Sequence, residues 1–283
     1  MTSVPWGFRR LAEEVWCSGF GIHSGTRVGV QISGASAGGV SVVLGALSGP
    51  ASEVPVAHST YMLGRKTSRL RAGDATLDCP EHLFAGLLLA GISGAVIHVP
   101  GSCELPCEPA GAASYYDFFS QARLSDVRAS PPSINWNCRS ERLREAGRVY
   151  VIEPSIEFSA VVRLSNQGAA KAVAQSNVYS LASSELHRQS LGRARTWVRA
   201  SELDALRDAG LCGGVHLTSC RVLSADALTE AEILEECARH KLADLLGDLY
   251  LLGQLPPVHL DVENPNHAMN ARLLQLLMGM HDS

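Results

Sequence analysis

The run Arg239-His240-Lys241-Leu242-Ala243-Asp244-Leu245-Leu246-Gly247-Asp248-Leu249-Tyr250-Leu251-Leu252-Gly253 decides how this chain is read. Leucine and alanine recur through it at three- and four-residue spacing, the signature of a buried helix, and the pattern extends back to about Thr229. Polar groups inside such a helix need partners. His240 and Asp244 stand four apart, on one face, with Cβ atoms about 5–6 Å apart. At that distance an imidazole and a carboxylate can share one metal ion. Asp248, one turn further along, also needs a partner. Taken alone, HxxxD is a common accident on a solvated helix face.

Upstream, Pro80-Glu81-His82 opens a second apolar stretch. Proline suits the first helical turn, so a helix is expected from Glu81 to about Ala90, with Asp78 or Cys79 near its cap. Leu83–Pro100 is apolar almost throughout and nearly long enough to span a membrane. Gly91-Ile92-Ser93-Gly94 interrupts it, and Ala95–Val99 reads as β. A buried helix, a turn and a buried strand are therefore expected in place of a span. His82, His240 and Asp244 together make a three-ligand catalytic zinc set that leaves a position for water. Glu81 beside His82 would be the general base. His267, opening the last helix (His267 to Met280), would be the second ionisable group, with Asp248 keeping it charged.

The remaining pattern supplies strands at Arg27–Ser33, Val40–Leu44, Ala75–Cys79, Arg148–Ile152 and Ile156–Leu164. Further helices are expected at Tyr115–Ala122 and Ser201–Arg207, the latter with Ser201 as N-cap and Gly210 as C-cap. Ser130-Pro131-Pro132-Ser133 reads as a linker. The chain thus divides into an N-terminal α+β domain, residues 1–128, carrying Glu81 and His82. A C-terminal α+β domain, residues 129–283, carries His240, Asp244 and His267. The halves look similar in composition of elements, although no internal sequence repeat is visible.

Whole-chain properties narrow the class. The 283 residues are 46% hydrophobic and 18% charged, as in a globular protein with a real core. A net charge of −4 argues against nucleic-acid binding. The eight cysteines are scattered, which suits free thiols in a reducing compartment. With no secretory signal read in the first residues, the cytoplasm is the expected location. Arg65, Lys66, Arg69 and Arg71 form a basic cluster, either a solvated loop or a phosphate-facing rim. His23, in a glycine-rich turn, reads as structural.

In order along the chain, SGFGIHSG (18–25), PEHL (80–83), ELP (104–106), ART (194–196), GLCGG (210–214), RHKLADLLGDLYLLG (239–253) and HAMN (267–270) resemble the zinc-dependent UDP-3-O-acyl-N-acetylglucosamine deacetylases of lipid A biosynthesis. That resemblance implies two similar α+β domains, each a β-α-α-β sandwich with helices packed between sheets, and an active site between the domains. It implies Zn(II), or Fe(II), on His82, His240 and Asp244, with Glu81 as base. His267 would be the acid, held by Asp248. Thr196 would bind the carbonyl oxygen, and Lys241 would stand near the nucleotide diphosphate. The implied reaction is removal of the N-acetyl group from the nucleotide sugar UDP-3-O-acyl-N-acetylglucosamine, with peripheral membrane contact if the substrate is acylated. Three stretches depart from the family: Glu108-Pro109-Ala110-Gly111-Ala112, Trp197-Val198-Arg199 and Val215-His216-Leu217-Thr218. An arginine in a fatty-acyl passage would be costly to bury. These departures leave two alternatives: deacetylation of another GlcNAc-containing nucleotide or nucleoside, and a non-catalytic sugar-nucleotide binder.

Overall fold

The computed structural model describes residues 9–35, 39–44, 52–56, 60–107, 112–126, 134–165, 173–175, 179–180, 183–216, 218–224 and 230–281. It is a mixed α/β structure with six helices among the described residues: α1 (Pro80–Leu89), α2 (Ala112–Gln121), α3 (Glu185–Gly192), α4 (Ala200–Asp208), α5 (Ala231–Leu249) and α6 (His267–Met278). The linker expected at 130–133 and the Pro109 departure lie outside the described residues.

The apolar stretch after Glu81 divides as its glycines suggest. Every residue of α1 is buried, so this helix is apolar all round because protein covers every face of it. The chain turns through Gly91, whose φ is +74°, and returns as the strand Gly94–Val99. No helix among the described residues is long and apolar enough to cross a membrane.

Two larger sheets stand out among the described residues. In the first, the strands run in the order 15–20, 27–34, 94–99, 39–44, 52–56. Neighbours are antiparallel except 39–44 against 94–99. In the second, the order is 141–145, 148–154, 258–263, 159–165, 173–175, with 159–165 parallel to 258–263. Both sheets therefore follow one plan: a leading hairpin, a late strand in the middle, and an earlier strand parallel to it. Sequence identity need not survive such a repeat, because the plan is carried by hydrophobic alternation, which many residues satisfy.

Three elements differ from expectation. Helix α4 begins at Ala200, with Arg199 at the cap and no side-chain cap bond; Ser201 is already inside the helix. The strand expected from Ile156 starts at Ser159, and Ile156 is 98% exposed, so its apolar character does not mark a buried face. Beyond Leu249, α5 tightens into a 3₁₀ turn, Tyr250–Leu252, closed by Gly253 at φ +72°. Tyr250 ends up buried, donating to Ile92 O at 3.0 Å.

Helix α1 crosses α5 closely enough that only glycine fits at 247. A Cβ there would lie 2.0 Å from Glu81 O and 3.1 Å from Ala85 N. A second close approach joins two of the glycine-rich motifs. Gly213 and Gly214 donate to His23 O and Ile22 O at 2.8 and 3.0 Å, and a Cβ on Gly214 would stand 2.0 Å from Gly21 O. Exchanging glycine for alanine inside a helix normally gains about 1 kcal/mol. At Gly247 the clash is with backbone, and overpacking costs about 1–3 kcal/mol or more. Gly247→Ala is expected to lower the urea midpoint of unfolding despite the better helix former; a raised midpoint would show that the α1–α5 contact is not tight.

Candidate metal centre and catalytic cleft

Helix α5 presents His240, Asp244 and Asp248 on one buried stripe, and the first turn of α1 delivers Glu81 and His82 to the same place. All five are at least 95% buried. Nε2 of His82 and Nε2 of His240 each lie 3.4 Å from Asp244 Oδ1, and the rings meet edge to face with centroids 5.3 Å apart. One donor atom from each of the three falls within 4.8 Å of the others.

The outward atoms of these side chains are all held. His240 Nδ1 is 3.1 Å from Ala194 O, so it carries the proton and leaves Nε2 with a lone pair. Burial, with Lys241 nearby, pulls His240 down to about 4, which keeps the ring neutral. Lys241 Nζ donates to Asp244 Oδ2 at 2.8 Å. His82 Nδ1 lies 2.8 Å from Cys107 Sγ. Asp244 Oδ1, by contrast, is buried and has no hydrogen-bond partner. An unpaired buried acceptor costs about 1–3 kcal/mol, and a cation would remove that cost. Two imidazoles and a carboxylate suit Zn(II), and Fe(II) also accepts such a set.

A second cluster, His23, Cys79 and Glu104, also comes within 4.8 Å, but its groups are already used. Glu104 accepts from His23 N and Ser24 N, both at 2.7 Å, and from Cys79 Sγ at 3.5 Å. His23 Nδ1 accepts from Cys212 N at 3.5 Å. This carboxylate fastens the GIHSG turn, so His23 belongs to the scaffold.

Glu81 faces the same space. Its Oε1 accepts from Thr67 Oγ1 at 3.0 Å and lies 3.7 Å from His267 Nε2; its Oε2 is buried without a partner. Burial raises the carboxyl to about 7, with His267 and His82 opposing. Across from it, His267 Nδ1 is 3.0 Å from Asp248 Oδ2. Burial alone would lower His267, but the charges of Asp248 and Glu81 outweigh it and lift the ring to about 9. Asp248 is held firmly: Ser68 Oγ donates to Oδ1 at 2.5 Å and Asn270 Nδ2 to Oδ2 at 2.7 Å. Tyr61 Oη is 2.7 Å from Ser68 Oγ.

These groups line a cleft of about 520 Å³, which Thr196 and Lys241 also border. Ile22, Leu63, Val198, Leu206 and Val215 give it an apolar wall, and Lys66 and Arg148 add cationic groups. Within the basic cluster Lys66 alone borders this cleft, 3.7 Å from Glu202, while Arg69 is paired with Asp78. Arg199 does not enter the cleft: it is exposed at the end of the strand Thr196–Arg199. The cost expected for an arginine in an apolar passage therefore does not arise. All eight predicted site residues, Glu81, His82, Thr196, His240, Lys241, Asp244, Asp248 and His267, gather in or directly behind the cleft. The sequence reading missed Tyr61, Thr67, Ser68, Cys107 and Arg148. These are ordinary residues on strands or loops, and their spacing carries no metal or acid–base signature.

Two imidazoles and a carboxylate, set between a carboxyl raised to about 7 and a histidine raised to about 9, are the equipment of a metal-dependent hydrolase. Residues 9–279 match the LpxC family, described as UDP-3-O-acyl N-acetylglycosamine deacetylase, and the chain belongs to that family. It is similar to proteins named UDP-3-O-acyl-N-acetylglucosamine deacetylase from three bacteria. With that of Solibacter usitatus it is 29% identical, over 94% of this chain and 89% of the relative. The Anaeromyxobacter sp. (strain Fw109-5) protein is 26% identical over 96% and 89%. The Shewanella sp. (strain ANA-3) protein is 27% identical over 97% and 90%.

Removing the charge of Asp248 takes away the main force raising His267 and leaves burial, which lowers it. If activity needs protonated His267, Asp248→Asn is expected to move the alkaline limb of the kcat/KM–pH profile downward from about 9. An unmoved limb would separate that limb from His267.

Proposed function

We propose that this chain is a zinc-dependent amidohydrolase that removes the N-acetyl group of UDP-3-O-acyl-N-acetylglucosamine, releasing acetate and a free amine, the step used in lipid A biosynthesis. The observation that carries the reading is the pair of buried, unpartnered oxygens, Asp244 Oδ1 and Glu81 Oε2, beside the two imidazoles. One marks where a cation belongs, and the other is a base with nothing yet to accept. The relatives are named for the deacetylation of that substrate.

His82, His240 and Asp244 would hold the ion. When bound, it supplies Lewis acidity, polarising a carbonyl and making water a better nucleophile near neutral pH. Glu81 accepts the proton of the water that attacks the amide carbon. A carboxyl raised toward 7 keeps that proton in mid-reaction more readily than an exposed one would. Protonated His267 faces the oxygen on which negative charge develops, and it delivers a proton to the departing nitrogen. Asp248, fixed by Ser68 and Asn270, keeps that imidazole charged and aimed. The Thr196 hydroxyl, on the cleft wall, holds the carbonyl oxygen. Lys241 holds Asp244 and, with Lys66 and Arg148, supplies positive charge for a diphosphate. The apolar wall suits the acyl chain.

The same reading divides the protein into two similar α+β domains, 1–128 and 129–283, each a sandwich of helices between sheets, with the cleft between them. The repeated sheet plan supports this. Free thiols at all eight cysteines accord with action in the cytoplasm, with peripheral membrane contact through the acylated substrate.

The test is acetate release from UDP-3-O-acyl-N-acetylglucosamine and from UDP-N-acetylglucosamine by the zinc-loaded protein. Turnover of the acylated compound is expected to dominate. Preference for the unacylated one would transfer the activity to another nucleotide sugar, and no acetate from either would sink the deacetylase reading. Glu81→Ala is expected to keep its metal and to lose about 10²–10⁴-fold in kcat; unchanged turnover would remove Glu81 from its role.

A further inference from the structure

Each of the three metal-facing side chains has an outward atom, and what holds that atom differs. Asp244 uses a lysine and His240 a backbone carbonyl. His82 uses sulfur: among the described residues, the hydrogen-bond partner of its Nδ1 is Cys107 Sγ, at 2.8 Å. The thiol is fully buried and backbone hydrogen bonds fix its position. Leu105 N donates to Asp78 O and Cys107 N to Phe20 O, both at 2.9 Å. The segment 105–107 is thereby tied to the strand that leads into α1 and to the GIHSG arm. Cys107 also packs in a small apolar cluster with Ile22, Cys79, Val198 and Cys220.

We propose that Cys107 is a positioning residue for the metal: its sulfur accepts the Nδ1 proton of His82 and so fixes the tautomer and ring plane that present Nε2 to the cation. The inference rests on His82 being a metal ligand. A neutral imidazole carries one proton. With Nδ1–H directed at sulfur, Nε2 keeps its lone pair; with no acceptor at Nδ1, the proton can move to Nε2 and the ligand atom is lost. Partners of this kind are typically worth about 10–100-fold in metal affinity. Sulfur is a weaker acceptor than a carboxylate, but burial removes water, its main competitor.

Shape and acceptor ability can be separated. Cys107→Val fills similar volume and accepts nothing; Cys107→Ser is smaller and keeps an acceptor. Zn(II) affinity would be measured by competition with a chromophoric chelator for the parent, both variants and His82→Ala, with the apo proteins checked by circular dichroism. Cys107→Val is expected to lose about 10–100-fold in affinity while keeping the apo fold, and Cys107→Ser to recover most of that loss. His82→Ala is expected to lose tight binding altogether. Parent-like affinity in Cys107→Val, with binding lost in His82→Ala, would overturn the proposal and leave the metal centre standing. Equal losses in the valine and serine variants would also overturn it, by assigning the effect to packing. A parent, or a His82→Ala variant, whose metal binding does not depend on His82 would overturn the ligand reading itself. Co(II)-loaded protein supplies a further readout. A sulfur-to-cobalt charge-transfer band that disappears in Cys107→Ser would make the thiol a direct ligand and overturn the positioning role.

Discussion

The backbone of α1 rests directly on α5 at Gly247, and the chemistry of the molecule depends on that contact. Glu81 O occupies the space a side chain would need. With the helix axes this close, the first turn of α1 comes level with the C-terminal half of α5. Two residues of one helix then face three of the other. A wider crossing would leave both stripes buried but apart, and each would need separate compensation for its polar groups.

That compensation is the second constraint. Five ionisable side chains are withdrawn from water in one small region, and an unpaired buried charge is among the costliest features a fold can carry. Asp248 meets the cost inside the protein, with Ser68, Asn270 and His267 around it. Two of these partners lie in opposite halves of the chain, so the carboxylate also ties residues 68 and 270 together. Asp244 and Glu81 meet it only halfway: each has one oxygen held, by Lys241 and Thr67, and one left open. The fully satisfied group is thus a support, and the half-satisfied ones each keep an oxygen open toward the cleft.

Much of this was legible in the sequence because periodicity and chemistry coincided. Within α5 the hydrophobic repeat fixed the helix, and the helix fixed which face His240, Asp244 and Asp248 share. Pro80 marked the start of α1, and Gly91 broke a stretch that otherwise resembled a membrane span. What stayed hidden were the supporting partners reached across the fold. Ser68 bonds to Asp248 over 180 positions, and no local pattern announces such a pair. Cys107 had no counterpart spacing that would make it a zinc-knuckle cysteine, and its partner is a ring nitrogen brought in by another element. The cap of α4 was misread because Ser201 is the better capping residue by type. The strand ending at Arg199 settles the boundary instead.

Arg199 shows how position overrides residue type at the cleft. On a strand, neighbouring side chains leave in opposite directions, and a residue at the strand's end can leave the sheet altogether. Val198 is buried with Ile22 and Cys220 while Arg199 reaches water. The cleft therefore keeps an apolar wall beside its cationic groups, although the local sequence reads as charged. That combination favours a ligand with two unlike parts, an apolar chain and an anionic head, joined near His82, His240 and Asp244. A small uncharged amide would use neither the wall nor the cations. The departures at 197–199 thus weigh less against an acylated nucleotide sugar than their composition alone implies.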